Sequence, residues 1–227
     1  MCGRFVQFSP ASLLAEIYNI SEVTGSAQIF KPSYNITPSS SAMVVVNERQ
    51  TYKLDCFKWG FLPKWAVKLN SVKPMINAVS ETAFEKKFFA TAVKNTRCVV
   101  FMDGYYEWSK DVTSKIKIPY YFRRKDKLPI AAAGIYEKTE VSDTLMPQHS
   151  FAILTCKANE GLSGIHSRMP VILREEHIDK WLTNGELNNY DYDQLVSPID
   201  PGVLDFYKVS TLVNSPANNN EQLIVPV

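Results

Sequence analysis

Only four cysteines and three histidines occur in 227 residues. Cys2, Cys56, Cys98 and Cys156 are scattered, with no CxxC pair, which argues against a disulfide framework and against a zinc knuckle. His149, His166 and His177 share no short motif with a cysteine, so neither a metal nor a cofactor is expected. No apolar run approaches the roughly 18 residues of a membrane span. The start, Met1-Cys2-Gly3-Arg4-Phe5, lacks a secretory apolar core. Neither sign of charge dominates: Lys and Arg total 25 against 23 for Asp and Glu, a formal net charge of +2. That excludes a generally basic nucleic-acid coat and confines any polyanion site to a local patch. No Gly/Ser linker and no internal repeat divides the chain. These absences predict a soluble, cytoplasmic monomer with no membrane partner, built as one domain over residues 1–227.

What is present is the composition of a globular protein, 45% hydrophobic and 21% charged. Ser9-Pro10 reads as a helix N-cap with proline in the first helical position, and Leu13, Leu14, Ile17 and Tyr18 follow on one face. Ala42 to Asn47 and Thr51 to Lys58 read as two strands joined by a turn near Glu48 and Arg49. A helix is predicted over about 81–93, with Phe84, Phe88 and Ala92 inward. Further strands are predicted at 97–102, 105–108, 119–124, 129–136 and 150–155, helices near 175–182 and 187–196, and a last strand over 207–213. Strands interrupted by a few helices predict an α+β fold with a curved or barrel-like sheet.

Four short segments could carry chemistry. Removal of Met1 would give Cys2 an α-amine two carbons from its thiol. With reference pKa values of about 7.7–8.0 and about 8.5, a fraction of the amine on the order of a tenth is neutral near pH 7. Such an aminothiol condenses with an aldehyde to an imine, which the sulfur closes to a thiazolidine. It could also act as an amine-assisted nucleophile, or be an inert terminal residue. Asn77, in Met75-Ile76-Asn77-Ala78-Val79-Ser80-Glu81-Thr82, could fix a backbone group or an amine, or simply cap a turn. In Asp103-Gly104-Tyr105-Tyr106-Glu107-Trp108, strand alternation puts Glu107 on the face of Tyr105, with Tyr106 and Trp108 opposite. A carboxylate among aromatics is desolvated and suited to acid–base work, although glutamates beside aromatics are also common on surfaces. In Ile165-His166-Ser167-Arg168-Met169-Pro170, His166 could titrate near neutrality and Arg168 could hold a phosphate; a loop histidine satisfied by backbone is the alternative.

Taken in order, MCGRF at the N-terminus, YNITPS at 34–39, WGFLPKWA at 59–66, INAVSET at 76–82, DGYYEW at 103–108, IHSRMPVIL at 165–173 and VSTLVNSP at 209–216 closely resemble the SRAP family, the SOS-response-associated peptidases. The resemblance spans essentially the whole chain. It implies a β-barrel-like core with peripheral helices, a positively charged DNA groove, and a role as a shield of abasic sites in single-stranded DNA. Carried over by position, an exposed Cys2 supplies amine and sulfur for a thiazolidine with the ring-opened sugar. Asn77 orients the amine, Glu107 shuttles protons, and His166 acts as acid on the sugar ring oxygen. The same group is implied in removing Met1, with lyase-like chemistry through the imine. Arg4 and Arg168 are implied to pair with phosphates. Trp65, Pro38 and the 61–63 wall supply apolar surface to the DNA, Asn35 and Thr155 line the site, and Trp59 is core. One departure is Val79, where the family pattern has arginine; Lys73 or Lys64 could compensate. Ser167, commonly aspartate, is milder. A cysteine amidase needing no DNA, a trap for small aldehydes, and a non-covalent DNA-binding module remain as rival readings.

Overall fold

Val44, Val45 and Val46 are buried one after another, and Arg97–Met102 is buried at every position. Burial without alternation means cover on both faces of the sheet. Helices supply the outer cover: Tyr18 stacks on Phe101 with ring centroids 4.1 Å apart, and the Trp181 indole N–H donates to the Cys98 carbonyl at 2.9 Å. The computed structural model describes residues 2–67, 69, 71–110, 117–139, 148–183, 185 and 187–227. Met1, whose removal the resemblance implies, lies outside the described residues.

The strands run β1 (Phe5–Gln7), β2 (Glu22–Val23), β3 (Ser33–Ile36), β4 (Ser41–Glu48), β5 (Thr51–Trp59), β6 (Asn77–Val79) and β7 (Arg97–Met102). They continue as β8 (Gly104–Lys110), β9 (Lys117–Arg124), β10 (Ile130–Thr139), β11 (Gln148–Lys157), β12 (Arg168–Pro170) and β13 (Leu204–Lys208). Strands β11, β10, β7, β4 and β5 are hydrogen-bonded in that order, and a parallel contact of β5 with β11, Trp59 opposite Phe151, closes the ring. This is the expected α+β architecture with a barrel-like core and short helices around it. The β4–β5 hairpin turns through Arg49 and Gln50, both at positive φ (51° and 66°), one residue later than expected. A second sheet, in the order β13-β9-β8-β1-β3, packs beside the ring.

Two features join the sheets. The Gln7 side chain donates to the Met43 and Phe101 carbonyls at 2.9 and 2.7 Å and accepts from the Met43 N–H at 2.8 Å, tying β1 to the barrel. The chain then passes from β7 in one sheet to β8 in the other through Asp103-Gly104. There the Tyr121 hydroxyl donates to the Asp103 carbonyl at 2.9 Å, and a Cβ on Gly104 would overlap the Tyr121 ring. Because Tyr121 is buried and held, Gly104→Ala is expected to destabilise the fold by about 1–3 kcal/mol. Urea denaturation checks this; an unchanged midpoint would show that the ring moves aside freely.

Three expectations change, each for a physical reason. Ser9 does not cap the first helix, which spans Ala11–Ile17 with Pro10 extended in the cap position and Leu13 exposed. Instead the Asp103 carboxylate takes the N–H groups of Phe8 and Ser9 at 2.5 and 2.8 Å and the Ser9 hydroxyl. A mostly buried carboxylate without donors would cost more than a lost cap. The helix expected over 81–93 is two, Ser80–Ala83 and Ala90–Asn95. Phe88 and Phe89, in the turn between the two helices, both pack on Phe61, with ring centroids 6.0 and 5.9 Å away. The final strand ends at Lys208 because Ser210 accepts the Leu212 N–H and starts a 3-10 turn over Thr211–Asn214.

Candidate active site

Cys2 enters the site from the free end of β1. Phe5 lies opposite Tyr105 and Val6 opposite Gly104, and the Tyr106 N–H donates to the Arg4 carbonyl at 2.9 Å. Cys2, ahead of the strand, packs in the same core cluster as Tyr105, on the face of β8 that carries Glu107. Cys2 is fully buried rather than exposed. Burial pushes its thiol pKa far up, and the neighbouring Glu107 charge adds to the shift, so the sulfur is held as a thiol.

Asn77 reaches the same residue from the opposite side. Beyond Ile153, β11 leaves β10 and runs between β6 and β12, with Ile153 opposite Asn77 and Thr155 opposite both Val79 and Pro170. This fork points the Asn77 amide at the N-terminal segment: Nδ2 donates to the Cys2 carbonyl at 2.7 Å. Oδ1, on a side chain only 6% exposed, has no hydrogen-bond partner among the described residues. An open acceptor is therefore held beside Cys2.

Glu107 is 4% exposed and shares its face of β8 with Tyr105, while Tyr106 and Trp108 pack in a separate cluster on the other face, as alternation predicts. Burial raises its carboxyl above the ordinary range, and the nearby imidazole of His166 opposes the shift. His166 Nε2 lies 3.8 Å from Glu107 Oε2. On the other side of the ring, Nδ1 is 3.1 Å from both the N–H nitrogen and the carbonyl oxygen of Arg168. A neutral ring can accept from the former and a protonated ring can donate to the latter, so this backbone suits either state.

The comparisons with known proteins agree over nearly the whole chain. Residues 1–216 match the family model described as SOS response associated peptidase (SRAP). The chain belongs to the SRAP family. It is 38% identical over 225 residues to the abasic site processing protein YoqW of Bacillus subtilis, covering 99% of each chain. It is 30% identical to the abasic site processing protein HMCES of Rattus norvegicus, covering all of this chain and 76% of that one. A crystal structure of a Bacteroides thetaiotaomicron protein superposes with a TM-score of 0.87 at 27% identity, covering both chains completely.

The positions that SRAP resemblance implied for DNA contact fall into two groups. Arg4 donates to Asn35 Oδ1 at 2.6 Å and to the Val213 carbonyl at 2.7 Å, with its guanidinium 6.0 Å from the Trp108 ring. Asn35 is itself buried, donating to the carbonyls of Ser215 and Asn218 at 3.0 and 2.7 Å, and so fastens the C-terminal segment. Thr155 is fully buried beneath Arg168, whose Nη2 donates to its carbonyl. Arg168 also pairs with both oxygens of Glu81, at 2.6 and 2.8 Å, and this guanidinium draws the Glu81 carboxyl down to about 2. By contrast Trp65 is 51% exposed and edges a cavity of about 640 Å³ with Phe61, Pro63, Lys64, Lys87 and Phe88. Pro38 is exposed in a turn that the Ser39 N–H anchors to the Trp59 carbonyl at 2.8 Å, so both lie at the end of the barrel where β5 stops. Trp59 is core, as expected, its indole N–H donating to the Ile76 carbonyl at 2.8 Å.

Val79, the SRAP departure, is part-buried opposite Thr155, and Lys73 and Lys64 are exposed. Sequence reasoning assigned no role to Glu81. Its only local signal is an acidic residue in the first turn of a short helix; the bidentate pair joins segments 87 residues apart and has no local signature. Among the described residues no group of three His, Cys, Asp or Glu side chains could hold a metal, and no helix is long and apolar enough to cross a membrane.

Proposed function

We propose that this chain captures abasic sites in single-stranded DNA covalently, through a thiazolidine made by Cys2 once Met1 is gone. The observation that carries the reading is the Asn77 amide: one end fixes the Cys2 carbonyl while the other presents a buried, unpartnered acceptor. That acceptor suits the N–H of a freed α-amine and would hold its lone pair toward an incoming aldehyde. The names of the relatives, abasic site processing proteins, point to the same substrate.

Freeing the amine consumes one water at the Met1–Cys2 bond, with Glu107 and His166 as the acid–base pair at hand. His166, protonated on Nε2, gives its proton to the ring oxygen of the closed sugar as the C1′–O4′ bond breaks and the C1′ hydroxyl releases its own proton to water, leaving the aldehyde. The Cys2 nitrogen adds to the C1′ carbonyl, and neutral Glu107 protonates the carbinolamine hydroxyl, which leaves as water. The resulting carboxylate takes the thiol proton as Sγ adds to the iminium carbon, and the C=N electron pair returns to the nitrogen, which keeps its one proton. One C=O is exchanged for one C–N and one C–S bond, with one water released. A raised carboxyl pKa keeps Glu107 protonated for the donor step at higher pH than an ordinary glutamate.

Incubation with a single-stranded oligonucleotide carrying one abasic site, followed by a denaturing gel, tests the proposal: a heat-stable shifted band supports it, and peptide cleavage with no band contradicts it. His166→Gln is expected to slow band formation about 10²-fold when the sugar must be opened, and much less with an acyclic aldehyde in its place. Equal slowing with both substrates would remove His166 from the ring-opening step.

A further inference from the structure

We infer that Glu81 occupies the phosphate seat of Arg168, so that a strand phosphate binds there only by displacing this carboxylate. The inference rests on the reading that a DNA strand passes this site.

A guanidinium has five N–H donors in a planar fork that matches a carboxylate or a phosphate equally well. In Arg168, Nη1 donates to Glu81 Oε1 at 2.6 Å, Nη2 donates to Glu81 Oε2 at 2.8 Å, and Nη2 donates again to the Thr155 carbonyl. Nε is buried without a partner. Two hydrogens are left, the buried one on Nε and one on Nη1, and they do not share an edge of the fork, so no bidentate phosphate fits while Glu81 stays. The occupant is placed to leave. Its side chain is 41% exposed and Arg168's is 18% exposed, so the carboxylate can swing into water while the guanidinium remains seated on Thr155. Charge bookkeeping agrees: Arg168 and Glu81 cancel, and the neighbouring β6 position is the uncharged Val79.

The exchange reaches the chemistry through the backbone. The residue that trades a carboxylate for a phosphate is the one whose N–H and carbonyl flank His166 Nδ1. Glu81 therefore sets a threshold: weak, sequence-independent contact leaves the pair closed, and a correctly seated phosphate opens it beside the imidazole.

Fluorescence anisotropy with a labelled, undamaged single-stranded oligonucleotide separates binding from covalent capture. Glu81→Gln is expected to tighten binding about three- to tenfold at low salt, the gain from an exposed pair no longer competing, and to steepen the log Kd against log salt slope by about 0.7. Arg168→Gln is expected to weaken binding, and the gain from Glu81→Gln to vanish in the double variant. Unchanged or weaker binding by Glu81→Gln, or a gain that persists without Arg168, overturns the inference. The same proteins with an abasic oligonucleotide keep the two proposals apart. An adduct in the wild type together with no effect of Glu81→Gln removes only the competitor. The absence of any adduct removes the capture reading whatever Glu81 does to affinity.

Discussion

Replacing Cys2 with alanine is expected to abolish the heat-stable adduct while leaving the protein folded. The substitution deletes one buried heavy atom from the core, which costs about 1 kcal/mol of packing, small against the stability of a domain of this size. It does not delete the α-amine. An imine with the sugar can still form, held by Asn77, but without sulfur it cannot close to a thiazolidine, and hydrolysis returns the free aldehyde. Borohydride added during the reaction should therefore trap a stable amine linkage in the Cys2→Ala protein. Trapping with borohydride and no band without it shows that nitrogen and sulfur do separate jobs. A heat-stable band from Cys2→Ala without reductant would mean that another nucleophile makes the bond.

The second large effect is at Glu107, where function and stability are expected to move in opposite directions. Glutamine keeps the shape and a hydrogen-bonding end but carries no transferable proton, so capture should slow about 10²–10⁴-fold. Stability should rise near neutral pH. The Glu107 carboxyl has its pKa raised by burial, with His166 only partly opposing. Between the ordinary glutamate value, about 4.3, and the raised folded value, the folded chain holds a proton that the unfolded chain has lost. Stability therefore falls as pH rises through that window, and the full cost persists above it. Glu107→Gln removes the cost, so its melting temperature should exceed the wild type's at pH 7 and converge with it below the ordinary carboxyl range. A capture rate equal to wild type, or a melting temperature unchanged from pH 4 to 7, would remove Glu107 from the proton-transfer role.

The face of Glu107 could be read from the sequence because strand alternation is a local rule: Tyr105 and Glu107 must share one side of β8. The fully buried strand 97–102 and the helix Glu175–Leu182 were equally legible, one from its β-branched and aromatic run, the other from its 3.6-residue spacing. Tertiary demands defeated the other expectations. Asp103 claims Ser9 because a mostly buried carboxylate needs donors more than a helix end needs a cap, and two consecutive phenylalanines pack on Phe61 from the turn that separates the two helices. The short strands β6 and β12, three residues each, carry little pattern of their own. They exist because β11 leaves the barrel and exposes both edges, which is also why Asn77 and Arg168 end up on either side of Thr155. The Arg168–Glu81 pair and the commitment of Asn35 to the C-terminal segment are long-range contacts that motif spacing does not encode.

Intact-protein mass spectrometry after incubation with an abasic single-stranded oligonucleotide tests the central claim most directly. The predicted product has the mass of the chain lacking Met1 plus the oligonucleotide minus one water, and digestion places the added mass on the peptide that begins with Cys2. A chain that keeps Met1 and gains no oligonucleotide, or a linkage that maps to a lysine, would contradict it.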